Sequence, residues 1–239
     1  MASKRGMSQT TNVVTKPRML AGTLARGKRY NECTLFFAAS IMPHANPISS
    51  QNITAIILAG GASSRMGSNK ALLQWQERPF IAHIIESLTA QVDYIAINTN
   101  APAEFAPFGI PLIADATAER CGPLAGIMAA LDYSATALTL VVPCDNPSLS
   151  PQLASRLFAA LETEQTELAY ACGGGDNHYL YALMRTSLRE NLVAFLRAED
   201  YAVRHWYATL HTTPVDFSDQ PEHFRNINNA EELALLQQR

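Results

Sequence analysis

Short apolar runs alternate along this chain with segments whose apolar residues recur at helical spacing. The runs at 53–58 and 138–142 each carry a single threonine among apolar residues, which is typical of strands buried on both faces of a parallel sheet. Pro79 stands where a helix can begin, and an apolar helical face follows it. The pattern predicts further strands at 92–97, 110–114, 168–172, 179–184 and 211–217, and further helices from Pro123, at 151–162, over most of 187–208 and after residue 229.

This alternation predicts a three-layer α/β/α, Rossmann-like fold with a mostly parallel sheet. Ligands of such sheets bind outside the carboxyl ends of the strands. Asn98 and Asp115 follow two of the predicted strands, which makes them candidates for contacts with a base or a ribose. The alternative is that they only cap loops.

Asp145 follows the most clearly predicted strand and is flanked by Pro143 and Pro147. A carboxylate at that position suits a hard divalent cation that also binds phosphates. The alternative is that Asp145 caps the following helix, although Ser150 is better placed to do so.

A glycine-rich turn follows the first strand, and its pattern excludes two common phosphate-binding motifs. Gly60 and Gly61 let a ligand approach the backbone, and Arg65 and Lys70 add cationic donors for phosphate oxygens. Lys70 has neither the preceding glycine nor the following Ser or Thr of a Walker A loop, and no Gly-x-Gly-x-x-Gly is present. A plain turn between strand and helix remains the alternative interpretation.

Two more glycine motifs are candidates for the same site. Gly122 and Gly126 flank the start of the helix at Pro123, where a ligand can approach the backbone. Three glycines at 173–175 indicate either a loop beside the site or a hairpin turn, and His178 after them is a candidate substrate contact or a structural histidine.

The charge is unevenly distributed along the 239 residues, of which 48% are hydrophobic and 16% charged. Residues 1–50 hold seven Lys or Arg and the single acid Glu32, a net +6, whereas the remainder holds eleven basic and twenty acidic residues, a net −9. An acidic body argues against nucleic-acid binding, and no apolar run approaches the roughly 18 residues of a membrane helix. We expect residues 1–50 to be a basic, disordered extension; a targeting segment and a misassigned start are the alternatives.

The four cysteines indicate a reducing compartment, hence the cytoplasm. Cys33, Cys121, Cys144 and Cys172 form no Cys-x-x-Cys pair and lie near no histidine at zinc-ligand spacing. We therefore expect free thiols.

Five motifs in order resemble the nucleotidyltransferases of the molybdenum cofactor guanylyltransferase type. They are Leu58-Ala59-Gly60-Gly61, Arg65-Met66-Gly67 with Lys70, Gly122-Pro123-Leu124-Ala125-Gly126, Pro143-Cys144-Asp145-Asn146-Pro147, and Asn226-Ile227-Asn228 with Glu231-Glu232-Leu233. The resemblance covers roughly residues 52 to 236 and makes 51–239 a nucleotidyltransferase domain. Asn69 stands where the family usually has Asp.

The resemblance implies a role for each candidate residue. Guanine and ribose would lie against the backbone of Leu58, Ala59 and Gly60, with Gly61, and against Asn98 and Asp115. The motif with Gly122 and Gly126 matches the guanylyl form of the family. Lys70 and Arg65 would meet phosphates, Asp145 would bind Mg²⁺, and Asn226, Asn228 and His178 would contact the pterin substrate.

The reaction that the resemblance implies is transfer of GMP from GTP to molybdopterin or its molybdenum form. The products would be molybdopterin guanine dinucleotide and pyrophosphate, and molybdoenzymes or their chaperones would be further partners. Transfer from CTP, transfer to a sugar phosphate, and a non-catalytic GTP-binding delivery protein remain alternatives.

Overall fold

A seven-stranded sheet carries the fold in a computed structural model that describes residues 53–60, 69–115, 121–227 and Glu232. The strand order is β5-β4-β1-β6-β8-β7-β9, and of these strands β8 alone runs antiparallel to its neighbours. The strands are β1 (Ile53–Leu58), β4 (Tyr94–Asn98), β5 (Leu112–Ile113), β6 (Leu138–Pro143), β7 (Leu168–Gly173), β8 (Asp176–Arg185) and β9 (Thr212–Asp216), with β2 (Gln74–Trp75) and β3 (Arg78–Pro79) forming a separate hairpin.

Helices cover both faces of the sheet, so the described residues form three layers, as predicted. Apolar residues of α1 (Phe80–Thr89), α2 (Pro102–Phe105) and α4 (Leu153–Thr163) join the core on one face. Those of α3 (Pro123–Tyr133), α5 (Arg189–Leu196) and α6 (Val203–Tyr207) join the core on the other. The central strands β1 and β6 are buried on both faces, which explains their continuous apolar runs.

Two helix starts follow directly from local chemistry. Pro79 precedes the first residue of α1, and Pro123 is the first residue of α3, where the absent N–H of proline costs no hydrogen bond. Gly122 precedes α3 with φ +56°, a conformation that side chains with a Cβ rarely adopt.

Several predicted elements differ in extent from those observed. The segment 187–208 is not continuously helical: a 3₁₀ turn at Thr186–Leu188 leads into α5, and α6 follows a break at 197–202. The strand predicted from residue 179 begins at Asp176, because the glycines at 174 and 175 form the tight turn of a β7–β8 hairpin. The predicted N-terminal extension (1–50) and nearly all of the last helix lie outside the described residues.

Candidate active site

Four strand ends stand in one row across the sheet and define the site. Leu58 at the end of β1 pairs with Asn98 of β4 on one side and with Pro143 of β6 on the other, and Asn98 pairs with Ile113 of β5. The segments that leave these ends carry Gly60, Asp115 and Asp145. Parallel strands therefore bring together candidates that are far apart in the sequence.

Asn98 is the buried centre of the part of this row formed by β1, β4 and β5. Its side chain is 1% exposed and its amide Nδ2 donates to Asp115 Oδ1 at 3.0 Å. A Cβ added to Gly126 would lie 2.7 Å from Asn98 Oδ1, and one added to Gly60 would lie 3.1 Å from the same atom. Position 126 therefore needs glycine because the Asn98 amide fills the space beside it, whereas a Cβ at position 60 would require Asn98 or Asp115 to shift slightly.

Asn100 completes this cluster from the solvent side. Its exposed amide donates to Asp115 Oδ2 at 2.7 Å and lies 3.4 Å from the carbonyl oxygen of Gly60, and its Oδ1 accepts from the Asp115 backbone N–H at 3.3 Å. Asp115 thus receives one amide on each carboxylate oxygen. The side chains of Asn98, Asn100 and Asp115 form a connected polar patch at the ends of β4 and β5.

Lys70 lies at the start of a short 3₁₀ helix, Lys70–Leu72, that is anchored by the residue before it. Asn69 Oδ1 accepts from the backbone N–H of Ala71 at 3.2 Å, and Asn69 Nδ2 donates to Glu104 Oε2 of α2 at 3.1 Å. An aspartate at position 69 would retain the first contact and repel Glu104 in the second. The asparagine at position 69, where the family usually has aspartate, is therefore compatible with the neighbouring Glu104.

Asp145 combines burial with a nearby cation. Its Oδ1 atom is buried and has no hydrogen-bond partner within the part of the chain that the structure describes. Burial raises the pKa of the carboxyl group above its ordinary value, while the positive charge of Lys70 and a backbone hydrogen bond lower it. A buried carboxylate oxygen without a donor is costly unless a cation or a water satisfies it.

The surroundings of Asp145 are unfavourable to a second negative charge. Burial first, and then the Asp145 carboxylate, raise the pKa of the Cys144 thiol to about 12 and that of the Tyr181 phenol well above its ordinary value. Both groups are therefore neutral near pH 7. No set of three or more metal-ligating side chains occurs within the described ranges, so there Asp145 would need ligands from outside the protein to complete a metal site. Mg²⁺ tolerates such a site, since it binds one or two carboxylates together with waters and substrate phosphates.

The C-terminal segment lies against the loop that carries Asp145. The backbone N–H of Ile227 donates to the carbonyl oxygen of Asp145 at 3.0 Å, and buried Asn146 donates to the carbonyl oxygen of Glu222 at 3.3 Å. Asn226, the neighbour of Ile227, is exposed beside this contact. The predicted pterin contact Asn226 is thus brought next to the predicted metal ligand.

His178 packs in the same neighbourhood. Its ring stacks on Phe224 at a centroid distance of 5.0 Å, and Phe224 also packs edge-on against Tyr181 at 5.0 Å. Burial lowers the pKa of His178, and Asp176 opposes that shift. The half-buried ring packs against Phe224, and both alternatives for His178, a substrate contact and a structural histidine, stay predictions.

The structure therefore places eleven of the candidates and leaves three undescribed. Leu58, Ala59, Gly60, Asn98, Asp115, Gly122 and Gly126 lie at the ends of β1, β4, β5 and the start of α3, while Lys70, Asp145, Asn226 and His178 lie on or near the β6 side. Gly61, Arg65 and Asn228 lie outside the described residues. The roles assigned to all of them stay predictions.

Two residues that the sequence analysis did not single out belong to the site. Asn100 follows Asn98 by two positions, and its place just beyond the end of β4 is the signal that it belongs to the same edge of the sheet. Asn146 lay inside a quoted motif, but its contact with Glu222 joins residues 76 positions apart and has no local signal.

The comparison with known families decides what this arrangement belongs to. The family model described as MobA-like NTP transferase domain matches residues 55–214, which include every strand of the main sheet from β4 to β8 and most of β1 and β9. The chain belongs to the MobA-like NTP transferase family. It is a nucleotidyltransferase, and the resemblance seen in the sequence is confirmed.

Similar proteins carry a consistent name. A protein named molybdenum cofactor guanylyltransferase from Shewanella loihica is 40% identical over 189 residues, which cover 78% of this chain and 96% of that protein. A protein of the same name from Shewanella putrefaciens is 40% identical over 183 residues, which cover 76% of this chain and 94% of that protein.

Solved structures share the fold at lower identity. The molybdopterin-guanine dinucleotide biosynthesis protein A of Archaeoglobus fulgidus superposes with a TM-score of 0.67 at 18% identity, covering 77% of this chain and 97% of that one. A CMP:2-keto-3-deoxy-manno-octonic acid synthetase complexed with CTP gives a TM-score of 0.59 at 14% identity, covering 78% and 97%. The α/β nucleotidyltransferase fold predicted from the sequence is confirmed.

Two further expectations concern the rest of the molecule. Cys121, Cys144 and Cys172 are free thiols, as predicted, whereas Cys33 lies outside the described residues. Among the helices described here, none is long and apolar enough to cross a membrane.

Proposed function

We propose that this MobA-like enzyme transfers GMP from GTP to the terminal phosphate of molybdopterin or its molybdenum form. The products are molybdopterin guanine dinucleotide and pyrophosphate. The observation that carries the proposal is the buried Asp145 oxygen without a hydrogen-bond partner in the described structure, within the electrostatic reach of Lys70. The shared name of relatives that are 40% identical supports guanine as the base.

The nucleotide half of the site lies at β1, β4 and β5. The backbone from Leu58 to Gly60 and the side chains of Asn98 and Asp115 surround the base and the ribose in this proposal. Gly126 supports the same pocket, since it leaves the space that the Asn98 amide occupies. Carboxylate and amide groups recognise the N–H and O–H donors of a nucleoside better than its phosphates.

The donor at the end of β6 fits Mg²⁺. Asp145 offers a hard oxygen ligand, and GTP phosphates would supply the ligands that the protein lacks. When bound, Mg²⁺ supplies charge neutralisation for the triphosphate.

The protein's own residues contribute charge and alignment. The phosphate of the second substrate attacks the α-phosphorus of GTP, and the bond from that phosphorus to the β-phosphate oxygen breaks as pyrophosphate leaves. Lys70 stabilises the charge that develops on the leaving group, and Arg65 has the same assigned role. The attacking phosphate is already anionic near neutral pH, so no general base is required.

The second substrate occupies the half of the sheet edge beyond β6. Asn226 is held there by the contact between Ile227 and Asp145, and His178 is held there by its stack on Phe224. Asn226, Asn228 and His178 contact the pterin in this proposal. The two substrates then meet at Asp145, between the half of the sheet that contains β4 and the half that contains β8.

The setting of the reaction follows from the same assignment. We place the enzyme in the cytoplasm, where free thiols persist, and assign the chemistry to residues 51–239. Molybdoenzymes or their chaperones would receive the product.

Pyrophosphate release tests the proposal. The full chain is incubated with Mg²⁺, molybdopterin and GTP, CTP or ATP in parallel, and the variants Asp145→Asn and Asp93→Asn are measured beside it. We expect release with GTP alone and a loss of roughly 10²-fold or more in Asp145→Asn. Asp93 is exposed just before β4, at the opposite end of the strands, and serves as the matched control.

Each contrary outcome points to a stated alternative. Release with CTP instead of GTP would favour a cytidylyltransferase. Release seen only in a further parallel reaction, in which a sugar 1-phosphate replaces molybdopterin, would favour a sugar-phosphate nucleotidyltransferase. GTP binding without release from any combination would favour a delivery protein.

A further inference from the structure

The side-chain amide of Asn100 forms hydrogen bonds with other residues of the site, although Asn100 is exposed. Water is available to both of its polar atoms, yet Nδ2 donates to Asp115 Oδ2 at 2.7 Å and Oδ1 accepts from the Asp115 N–H at 3.3 Å. The same Nδ2 lies 3.4 Å from the Gly60 carbonyl oxygen. One side chain therefore connects the segments that follow β1, β4 and β5.

Asp115 is held by two amides, one on each carboxylate oxygen. Buried Asn98 contacts Oδ1 from the core side, and exposed Asn100 contacts Oδ2 from the solvent side. Two amides on two oxygens fix the plane of the carboxylate. Since each carboxylate oxygen accepts about two hydrogen bonds, the contacts among the described residues leave one acceptor position on each oxygen for a ligand.

The acceptor pair that results has a definite chemical preference. Two carboxylate oxygens in a fixed plane match two donors on neighbouring atoms of a ligand, as they match an arginine fork. A guanosine nucleotide has two such pairs, the N1–H with the 2-amino group of the base and the two hydroxyls of the ribose. A carboxylate that is free to rotate would not match the two donors until it became fixed. The entropic cost of fixing it would then weaken ligand binding.

We propose that Asn100 is a positioning residue that orients the Asp115 carboxylate toward a pair of neighbouring donors on the nucleotide. This inference deepens the proposed function, and it rests on the proposed function for the identity of the nucleotide. Asn100 acts through Asp115 and, by its contact with the Gly60 carbonyl, keeps the carboxylate in register with the glycine turn.

Calorimetric binding of GTP, ITP and 2′-deoxyGTP to the full chain tests the proposal. ITP lacks the 2-amino group and 2′-deoxyGTP lacks one hydroxyl, so the analogue that binds more weakly identifies the donor pair. We expect Asn100→Ala to weaken GTP binding about tenfold and to reduce the wild-type penalty for that analogue to less than about twofold. In an Asp115→Ala background, Asn100→Ala should change GTP binding by less than about twofold.

Asn177→Ala, at another exposed asparagine, is the matched control and should bind all three nucleotides as the wild type does. Asn100→Ala should melt within about 2 °C of the wild type, since the residue is exposed. The proposal is overturned if Asn100→Ala leaves the penalties for both analogues unchanged, or if its effect on GTP binding persists without Asp115.

The binding assay and the turnover assay separate two failures. Because no second substrate is present, the binding result remains readable in a protein that binds GTP but releases no pyrophosphate. Such a protein would contradict the guanylyltransferase proposal and leave the role of Asn100 to be decided by the analogue penalties.

Discussion

At the scale of single residues, Gly126 shows how a missing side chain shapes the site. An alanine Cβ there would lie 2.7 Å from Asn98 Oδ1 and 3.0 Å from Leu58 Cδ2. Because Asn98 is buried and bonded to Asp115, it cannot move aside without changing the nucleotide pocket. Alanine has a helix propensity about 1 kcal/mol more favourable than that of glycine. Overpacking by its Cβ costs roughly 1–3 kcal/mol of stability and offsets this gain.

We therefore expect Gly126→Ala to weaken GTP binding at least about tenfold in calorimetry, with a free energy of unfolding lowered by no more than about 2 kcal/mol. Gly109→Ala is the control, because Gly109 has φ +67° but no atom within 4 Å of its added Cβ. It should lose about 1 kcal/mol of stability and retain GTP affinity. Equal GTP affinity in Gly126→Ala and the wild type would show that Asn98 does not form the pocket.

Asp145 is the residue at which function and stability oppose each other. Burial raises the pKa of its carboxyl group in the folded protein above 3.8, so the ionised form is disfavoured by folding. The stabilising contribution of this group is present below pH 3.8 and is lost as the pH rises through the folded pKa. At neutral pH and without metal, the ionised carboxylate lowers the free energy of unfolding.

Asp145→Asn should consequently melt at a higher temperature than the wild type at pH 7 in the presence of a chelator, although its turnover is lost. The gain should shrink as the pH is lowered toward 3.8. Thermal melts over a pH series measure both effects. A variant that melts below the wild type at pH 7 would mean that Asp145 is stabilised by contacts other than the charge of Lys70 and the backbone.

At the scale of elements, the buried side chain of Asn146 and the hydroxyl of Ser148 hold the Pro221–Phe224 turn to the loop after β6. Asn146 donates to the carbonyl oxygen of Glu222 and accepts from the N–H of Ser148 at 2.9 Å. Asn146→Ala leaves these groups without partners and should cost roughly 1–3 kcal/mol of stability. The turn that precedes Asn226 then loses one of its contacts with the loop after β6, while the contact between Ile227 and Asp145 remains.

We expect Asn146→Ala to raise the KM for the molybdopterin substrate several-fold while GTP affinity stays within about twofold, since the nucleotide half of the site lies on β1, β4 and β5. Steady-state kinetics with each substrate varied in turn measure the split. An equal loss for both substrates would contradict the division of the sheet edge into two halves.

The stack of His178 on Phe224 makes this part of β8 sensitive to pH. Burial lowers the pKa of His178 below 6.5, so its contribution to stability is present above pH 6.5 and is lost as the pH falls through the folded pKa. His178→Phe retains a ring against Phe224 and cannot be protonated. Denaturant unfolding between pH 7.5 and about 5 should therefore show a smaller loss of stability in the variant than in the wild type.

Elements were predicted from the sequence where burial is uniform and were missed where it is not. β1 and β6 agree with their predicted runs to within a residue, because both faces of each strand are covered. The 187–208 segment was predicted as mostly helical, but it is broken at residues 197–202, where the side chains are exposed or half-buried. The β2–β3 hairpin turns at Gln76 and Glu77, both with positive φ, and neither residue type signals such a turn.

The candidate site shows a similar limit. Asn98, Asp115 and Asp145 were predicted as neighbours because the carboxyl ends of parallel strands share one edge. The contacts of Asn146 with Glu222 and of Ile227 with Asp145 join the end of the chain to its middle. No spacing in the sequence encodes such contacts, so they required the folded arrangement.

At the scale of the whole molecule, the order of the strands sets where the two substrates meet. β6 lies at the centre of the sheet, with β1, β4 and β5 on one side and β8, β7 and β9 on the other. The proposed nucleotide contacts lie on the first side, and the contacts of the C-terminal segment lie on the second. Asp145 leaves the end of the central strand and stands between them.

The fate of the α-phosphate of GTP tests this account most directly. The full chain is incubated with Mg²⁺, molybdopterin and GTP labelled at the α-phosphorus, and in parallel with GTP labelled at the γ-phosphorus. We predict that the α-label moves into a molybdopterin guanine dinucleotide product and that the γ-label leaves in pyrophosphate. Molybdopterin that stays unlabelled while GTP is bound, or a γ-label found in the pterin product, would contradict guanylyl transfer.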